Sequence, residues 1–362
     1  MPRPNKDPYP MLIVDSHLDI AYNAIEWNRD LSQPIRKIRE SEAGMGQRGR
    51  GLNVVNFAEL RRGRIGLFFV TVNCRVASMG RRFAGVRTQE IAYAKCCGQL
   101  AFYRLMEAKG VLRQIRDRAA LDAHVAQWDR DPDTTPLGFV LTMEGADGIC
   151  GPKQVGDWFD QGLRVVSLCH YGISSYSHGT QAPGGLTPRG GPLLDALAKA
   201  GILLDTSHLA EQAFWEAMDR FGGQVLATHN CCRSLCDHDR QFDDRQIKAL
   251  CQRGAVIGTA MDDWMLSPLW DAQAIDNSQI SFQTVVDHID HVCQVAGNAN
   301  HAAIGSDLDG GYGKEQCPCD METIADLQKI SPILSDRGYS DQDIARIMHG
   351  NWISLLQRAW GQ

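Results

Sequence analysis

Eight short apolar runs punctuate the chain, at 11–16, 65–73, 137–143, 164–169, 201–206, 224–228, 255–261 and 302–306. They are nearly continuous in apolar character rather than alternating, as expected of strands covered on both faces in a parallel sheet. Stretches of 3.6-residue periodicity lie between most of them and predict crossover helices. The longest is 89–108, with Ile91, Leu100, Tyr103 and Leu105 among its apolar positions; others fall at 192–200, 209–220, 243–253, 284–296 and 341–358, the last capped by Asp341. Asp205-Thr206-Ser207-His208 followed by Leu209-Ala210-Glu211 reads as strand, short turn and helix entry. Eight strands alternating with helices predict an α/β fold, a TIM (β/α)8 barrel occupying 1–362 as one domain. A doubly wound open sheet would carry a glycine-rich phosphate turn after an early strand, and none is present. The glycine-rich segment 184–191 precedes a helix without a P-loop lysine. Long polar connections at 171–191 and 262–281 follow the fourth and seventh runs, where they would shape access to a site on that rim.

Composition narrows the class of partner. A net charge of −6 with scattered Lys and Arg argues against a phosphate backbone or an anionic membrane. Arg61-Arg62-Gly63-Arg64 is short and reads as a solvated connection. The polar, proline-rich N-terminus lacks a signal-peptide core, no apolar stretch approaches the roughly 20 residues that span a bilayer, and the C-terminus carries no anchor signal. A soluble cytoplasmic protein is expected. Of its 12 cysteines several lie within apolar periodic runs (Cys96, Cys97, Cys169, Cys293), and most are expected to be reduced thiols. Cys231-Cys232 and Cys317-Pro318-Cys319 lack zinc-knuckle spacing.

The polar residues that end the apolar runs carry the chemistry. The first run leads into His17-Leu18-Asp19, and later runs end in Glu144, His170, His208, His229 and Asp307. Six such ends suggest one site assembled on a single rim of the barrel. His17 and Asp19 share a strand face, about 6.6 Å apart along the backbone, and can reach one cation. Imidazole and carboxylate suit Zn²⁺, and Glu144 can bridge to a second ion held by His208 and His229. Two ions about 3.5–4 Å apart would acidify a bridging water towards hydroxide for attack on a carbonyl. Asp307 would take its proton and pass it to a leaving amine, although Asp309 has the same strand parity and is not separated from it by pattern.

Each of these residues also has a plainer role open to it. A strand-end histidine taken alone is more often a hydrogen-bonded structural group, and Asp15 and Asp205 would orient neighbours or cap helices. His288 and His291 have a helical i, i+3 spacing and are expected on an exposed face; His238 lies in a loop and His349 is expected to pack. A serine-hydrolase site is excluded by the lack of Gly-x-Ser-x-Gly.

The order of motifs resembles the membrane (renal) dipeptidase family, peptidase family M19, a branch of the metal-dependent amidohydrolase barrels. The likeness runs from Val14-Asp15-Ser16-His17-Leu18-Asp19 through Glu144-Gly145, Ser207-His208, Thr228-His229-Asn230 and Gly305-Ser306-Asp307-Leu308-Asp309-Gly310 to Gly350-Asn351-Trp352. Most amidohydrolase barrels open with His-x-His, whereas this branch has His-x-Asp, as here. The resemblance implies that His17 and Asp19 bind one zinc, Glu144 bridges, His208 and His229 bind the other, and Asp307 is the catalytic acid/base. It implies two substrate contacts as well, matched by His170 for the oxyanion and Arg240 for a terminal carboxylate, with Arg233 as a competing clamp. The first motif reads Asp-Ser-His-Leu-Asp-Ile where the family commonly has Asp-Gly-His-Asn-Asp-Leu, and Asp262-Asp263-Trp264 stands where an Asn-Phe pair is frequent. These departures touch the pocket walls and leave side-chain and L/D preference open. The expected activity is hydrolysis of small dipeptides, with a D-residue at the C-terminus among the options. Alternatives are an amidohydrolase for another small amide, such as an N-acyl amino acid, and a metal-loaded barrel with little turnover. The oligomeric state is not fixed by sequence, a homodimer being one option.

Overall fold

The computed structural model describes residues 11–77, 84–271, 273 and 276–361. Nine parallel strands run in chain order: β1 (Ile13–Leu18), β2 (Ile65–Asn73), β3 (Leu112–Gln114), β4 (Leu137–Glu144), β5 (Leu163–Ser167), β6 (Leu203–Asp205), β7 (Val225–Asn230), β8 (Ile257–Thr259) and β9 (Ala302–Ile304). The order β2-β1-β9-β8-β7-β6-β5-β4 closes on itself through β2 and β4, in register from Leu67↔Gly138 to Asn73↔Glu144. The result is the eight-stranded parallel barrel with outer helices that the apolar runs predict.

The ninth strand corrects the sequence reading. β3 pairs with Leu137–Phe139 of β4, while β5 takes Leu141–Met143 further along the same strand. Three residues at the lower rim are too few to register as an apolar run. The last predicted helix is also interrupted. Ser340, not Asp341, caps its start by accepting from Asp343 N, and a π-helical turn at Arg346–Gly350 separates Asp341–Ala345 from Asn351–Ala359. That turn lets Asn351 Nδ2 donate to the carbonyls of Ala299 and Ala302, and Trp352 Nε1 to that of Ile304, tying the chain end to β9.

Two apolar layers result. Val14, Leu67, Phe69, Val140, Val165, Leu203, Leu226 and Ala303, from successive strands around the closed sheet, cluster with Trp352, Leu355 and Leu356. This plug fills one end of the barrel and leaves the opposite end, where the strands terminate, for polar groups. The larger cluster packs strands against helices, with Phe68, Phe139, Phe214 and Trp158 among its buried rings. Burial of this extent supplies the main favourable term for folding. Gly258 and Gly305 are needed where the barrel wall is tightest: a Cβ on either would stand 2.2 and 1.8 Å from Thr228 O. All 12 cysteines are free thiols, as expected. Among the described residues no helix is long and apolar enough to cross a membrane. Residues 1–10, the polar, proline-rich N-terminus expected to lack a signal-peptide core, lie outside the described residues.

Candidate active site

Strand parity and local distortion aim the rim residues. Val140, Thr142 and Glu144 share a face of β4, so Glu144 points inward above the apolar plug. β1 and β7 carry register shifts between Asp15 and Leu18 and between Ala227 and Asn230. Such irregularities re-aim strand ends, and here His17 and His229 face each other across the barrel mouth with ring centroids 3.9 Å apart. His208 and Asp307 adopt left-handed backbone, at φ 68° and 58°. For non-glycine residues this conformation costs energy and is held where the surroundings over-determine it, commonly at functional sites.

Around Glu144 the side chains converge. Its Oε1 lies 3.2 Å from His208 Nε2, 3.4 Å from His229 Nε2, 3.7 Å from His17 Nε2 and 3.7 Å from His170 Nε2. Asp307 Oδ1 is 3.8 Å from His17 Nε2. Three overlapping sets have ligand atoms within 4.8 Å of one another: His17–Asp19–Glu144, Glu144–His208–His229 and His17–His229–Asp307. The first two share Glu144, the arrangement required of a bridging carboxylate. All of these side chains are at least four-fifths buried, and His17 Nε2 has no hydrogen-bond partner.

The electrostatics suit a cation. Burial, reinforced by Arg240, lowers the His17 pKa to about 3, and burial likewise holds His170, His208 and His229 well below the usual imidazole range. Neutral imidazoles keep the lone pairs that metals need. Burial raises Asp19 to about 7 against a hydrogen bond from Asn73, and burial with neighbouring carboxylates pushes Glu144 and Asp307 well up. Arg240 offsets only part of this crowding, and divalent ions would supply the further positive charge that keeps the carboxylates ionised. The donor set therefore fits a metal centre.

The chain's match to the membrane dipeptidase family, peptidase family M19, extends over residues 9–361. The chain belongs to the membrane dipeptidase family. Membership makes it a metal-dependent dipeptidase by class. A Klebsiella pneumoniae protein from the pqqA 5′ region is 25% identical over 272 residues, 73% of this chain and 97% of that one. Dipeptidase tcpJ of Claviceps purpurea is 28% identical over 234 residues, 61% of this chain and 51% of the fungal one, so the match spans about half of that relative. A metallopeptidase from Rhodobacter sphaeroides, solved with a phosphinate mimic of L-Ala-D-Ala, shares the fold at TM-score 0.77 and 20% identity, covering 97% of this chain and 100% of that one.

Within this dipeptidase, the geometry separates residues that pattern alone left paired. Asp307 lines a cavity of about 560 Å³ at the barrel mouth together with Asp19, Glu144, His170, His208 and Arg240. Asp309 instead accepts from Val54 N and Val55 N at 3.0 Å each and faces Arg29 at 3.7 Å, inside the protein. Arg240 donates to Asn230 Oδ1 and to His229 O, and its Nε is buried without a partner. Arg233 points away from the cavity to Glu211 and the Gln241 carbonyl. Asp15 accepts from His17 N, Ser306 N and Ser306 Oγ, and Asp205 from Ser207 N and Thr228, the orienting roles expected of both. His288 corrects the expectation of an exposed face: it is 1% exposed and joins Cys232 N to Leu266 O. His291 bonds Ser234 and Asp244, and His238 meets Trp264 edge to face.

Four contributors were not singled out in the sequence. Asn73 Nδ2 donates to Asp19 Oδ1 at 2.8 Å, Thr180 Oγ1 lies 2.9 Å from His208 Nδ1, Thr228 Oγ1 lies 2.9 Å from His229 Nδ1, and Arg75 meets His170. Asn73 ends β2 just as Glu144 ends β4, so extending the strand-end criterion to amides would have found it. Thr180 and Arg75 meet partners distant in sequence and left no local signal, and Thr228, although next to His229, is fixed by the distant Asp205.

Proposed function

We propose that the protein hydrolyses the peptide bond of small dipeptides at a binuclear zinc centre. His17 and Asp19 would hold one ion and His208 and His229 the other, with Glu144 placed to serve both. The observation that carries this reading is the pair of three-residue donor sets that share Glu144. Bound zinc supplies Lewis acidity towards the scissile carbonyl and acidifies a water to hydroxide. Asp307, in the cavity wall beside His17, would accept the proton of the attacking water and return it to the departing amine. His170 donates to the carbonyl oxygen as negative charge grows. Arg240 binds the C-terminal carboxylate: two of a guanidinium's five N–H groups are taken by Asn230 and His229, and the unpartnered Nε–H suits an anion. A D-residue at the C-terminus is part of the proposal, prompted by the L-Ala-D-Ala mimic held by the Rhodobacter sphaeroides neighbour.

Metal analysis of the purified protein, combined with a panel of L,L and L,D dipeptides, tests it. About two ions per chain and cleavage favouring L,D substrates are expected. Fewer than one tightly bound ion after metal loading, or no dipeptide cleaved, overturns the reading.

A further inference from the structure

The loops above β2, β4 and β5 are bound together by one buried carboxylate. Asp147 lies in the turn Ala146–Gly148 just beyond Glu144; its Oδ2 accepts from Val76 N and its Oδ1 from Ser175 N, both at 2.8 Å. It is 1% exposed. The tie brings Arg75, which follows β2, against His170, which follows β5. Arg75 Nη1 lies 3.1 Å from His170 Nδ1, and the guanidinium carbon is 5.9 Å from the centroid of the Tyr171 ring.

Chemistry settles which partner donates. Guanidinium has five N–H donors and no acceptor, so Nδ1 of His170 accepts. An imidazolium has no free lone pair, so the ring is neutral; with Nδ1 accepting, the proton sits on Nε2. Nε2 is the nitrogen turned on the cluster, 3.7 Å from Glu144 Oε1, and the His170 ring centroid is 4.5 Å from that of His208.

We propose that Arg75 is a positioning residue that holds His170 in its neutral Nε2–H tautomer, aimed at the reacting carbonyl. With its proton there, His170 offers no lone pair to a cation and stands ready as a hydrogen-bond donor. This matches its place outside the three donor sets despite its closeness to Glu144. The inference rests on the dipeptidase reading for the role of His170, but the tautomer itself does not depend on turnover.

The test combines spectroscopy with kinetics. In zinc-loaded protein carrying ¹⁵N-histidine, with the His170 signals assigned by loss in His170→Gln, Nε2 is expected to carry the proton and Nδ1 to be bare. Arg75→Met is expected to lower kcat about 10- to 100-fold, the usual effect of removing such a partner, with zinc content unchanged. KM stays within about threefold, because the lost interaction belongs to the transition state. Added guanidinium restores part of kcat to Arg75→Ala. A wild-type ring protonated at Nδ1 overturns the proposal, as does Arg75→Met with unchanged kcat and unchanged tautomer. Should the variants not fold, the wild-type spectrum alone decides. Failure of the wild type to cleave any dipeptide refutes the proposed function and leaves the tautomer still measurable.

Discussion

The hydroxyl of Thr228 donates its single proton to Asp205 Oδ2, 2.6 Å away. Its oxygen can then only accept from the imidazoles beside it, His229 Nδ1 at 2.9 Å and His17 Nδ1 at 3.4 Å. Both rings are thereby held with bare Nε2 atoms facing Glu144, 3.7 and 3.4 Å from its Oε1. Thr228→Val keeps the shape and removes the acceptor, so zinc affinity should fall about 10- to 100-fold. Thr228→Ser should retain it. Competition against a chromophoric chelator measures both; equal affinity in wild type and Thr228→Val would mean that the tautomers are set by other groups.

Metal removal should affect stability as well as activity. The buried carboxylates Asp19, Glu144 and Asp307 crowd one cavity, and a cation that binds only the folded state stabilises it by mass action. The gain is about 2.7 kcal/mol at a free ion concentration 100 times Kd. Chelator-treated protein should lose dipeptide hydrolysis and melt at lower temperature, and its Tm should climb with each increment of free zinc. A Tm indifferent to zinc would contradict the proposed centre.

The barrel and most of the site were legible because both depend on short-range pattern. A buried strand shows as an apolar run, and a candidate site residue shows as the polar side chain that ends it, as with His17, Glu144, His208, His229 and Asp307. What escaped depends on contacts distant in sequence. Thr228 sits beside His229 in the chain, yet its role comes from Asp205, and Arg75 meets His170 where Asp147 ties two loops together. His288 has the spacing of a surface histidine but is buried where the 231–232 segment crosses its helix.

Asp307 and Asp309 should fail in different ways. Asp307→Asn removes the proposed proton shuttle from a cavity wall, and kcat should drop about 10²- to 10⁴-fold with both metals retained. Asp309→Asn weakens acceptors that hold Val54 N, Val55 N and Arg29, so its first effect should be a lower Tm. Parallel kinetics, metal analysis and thermal melts separate the two. Unchanged peptide hydrolysis in metal-loaded Asp307→Asn would sink the mechanism.

Arg240 should read the substrate's charge. Wild type is expected to cleave a dipeptide with a free carboxylate in preference to its C-terminal amide. Arg240→Lys loses the planar fork, and kcat/KM for the free dipeptide should fall about 10- to 100-fold, in line with one or two charge-assisted hydrogen bonds. The amide should be affected much less. Arg233→Lys, altering a side chain committed to Glu211 and Gln241, should leave this preference intact. If Arg233 instead controls it, the assignment of the clamp is reversed.

Asp263 gives a pH-dependent stability. Burial, with the neighbouring Asp262 carboxylate adding to it, raises its pKa from 3.8 to about 9. Because the folded state holds this proton more tightly than the unfolded chain, the unfolded state ionises first as pH rises. Asp263 thus favours folding below about pH 4, and its contribution is progressively lost between the unfolded and folded pKa values. Asn cannot ionise and keeps a neutral group of the same shape, so Asp263→Asn should melt above the wild type at neutral pH. The gap should widen from pH 4 towards pH 9. Melts across that range at constant ionic strength and fixed metal loading provide the measurement; a gap that stays constant or narrows would show that Asp263 is ionised in the folded protein.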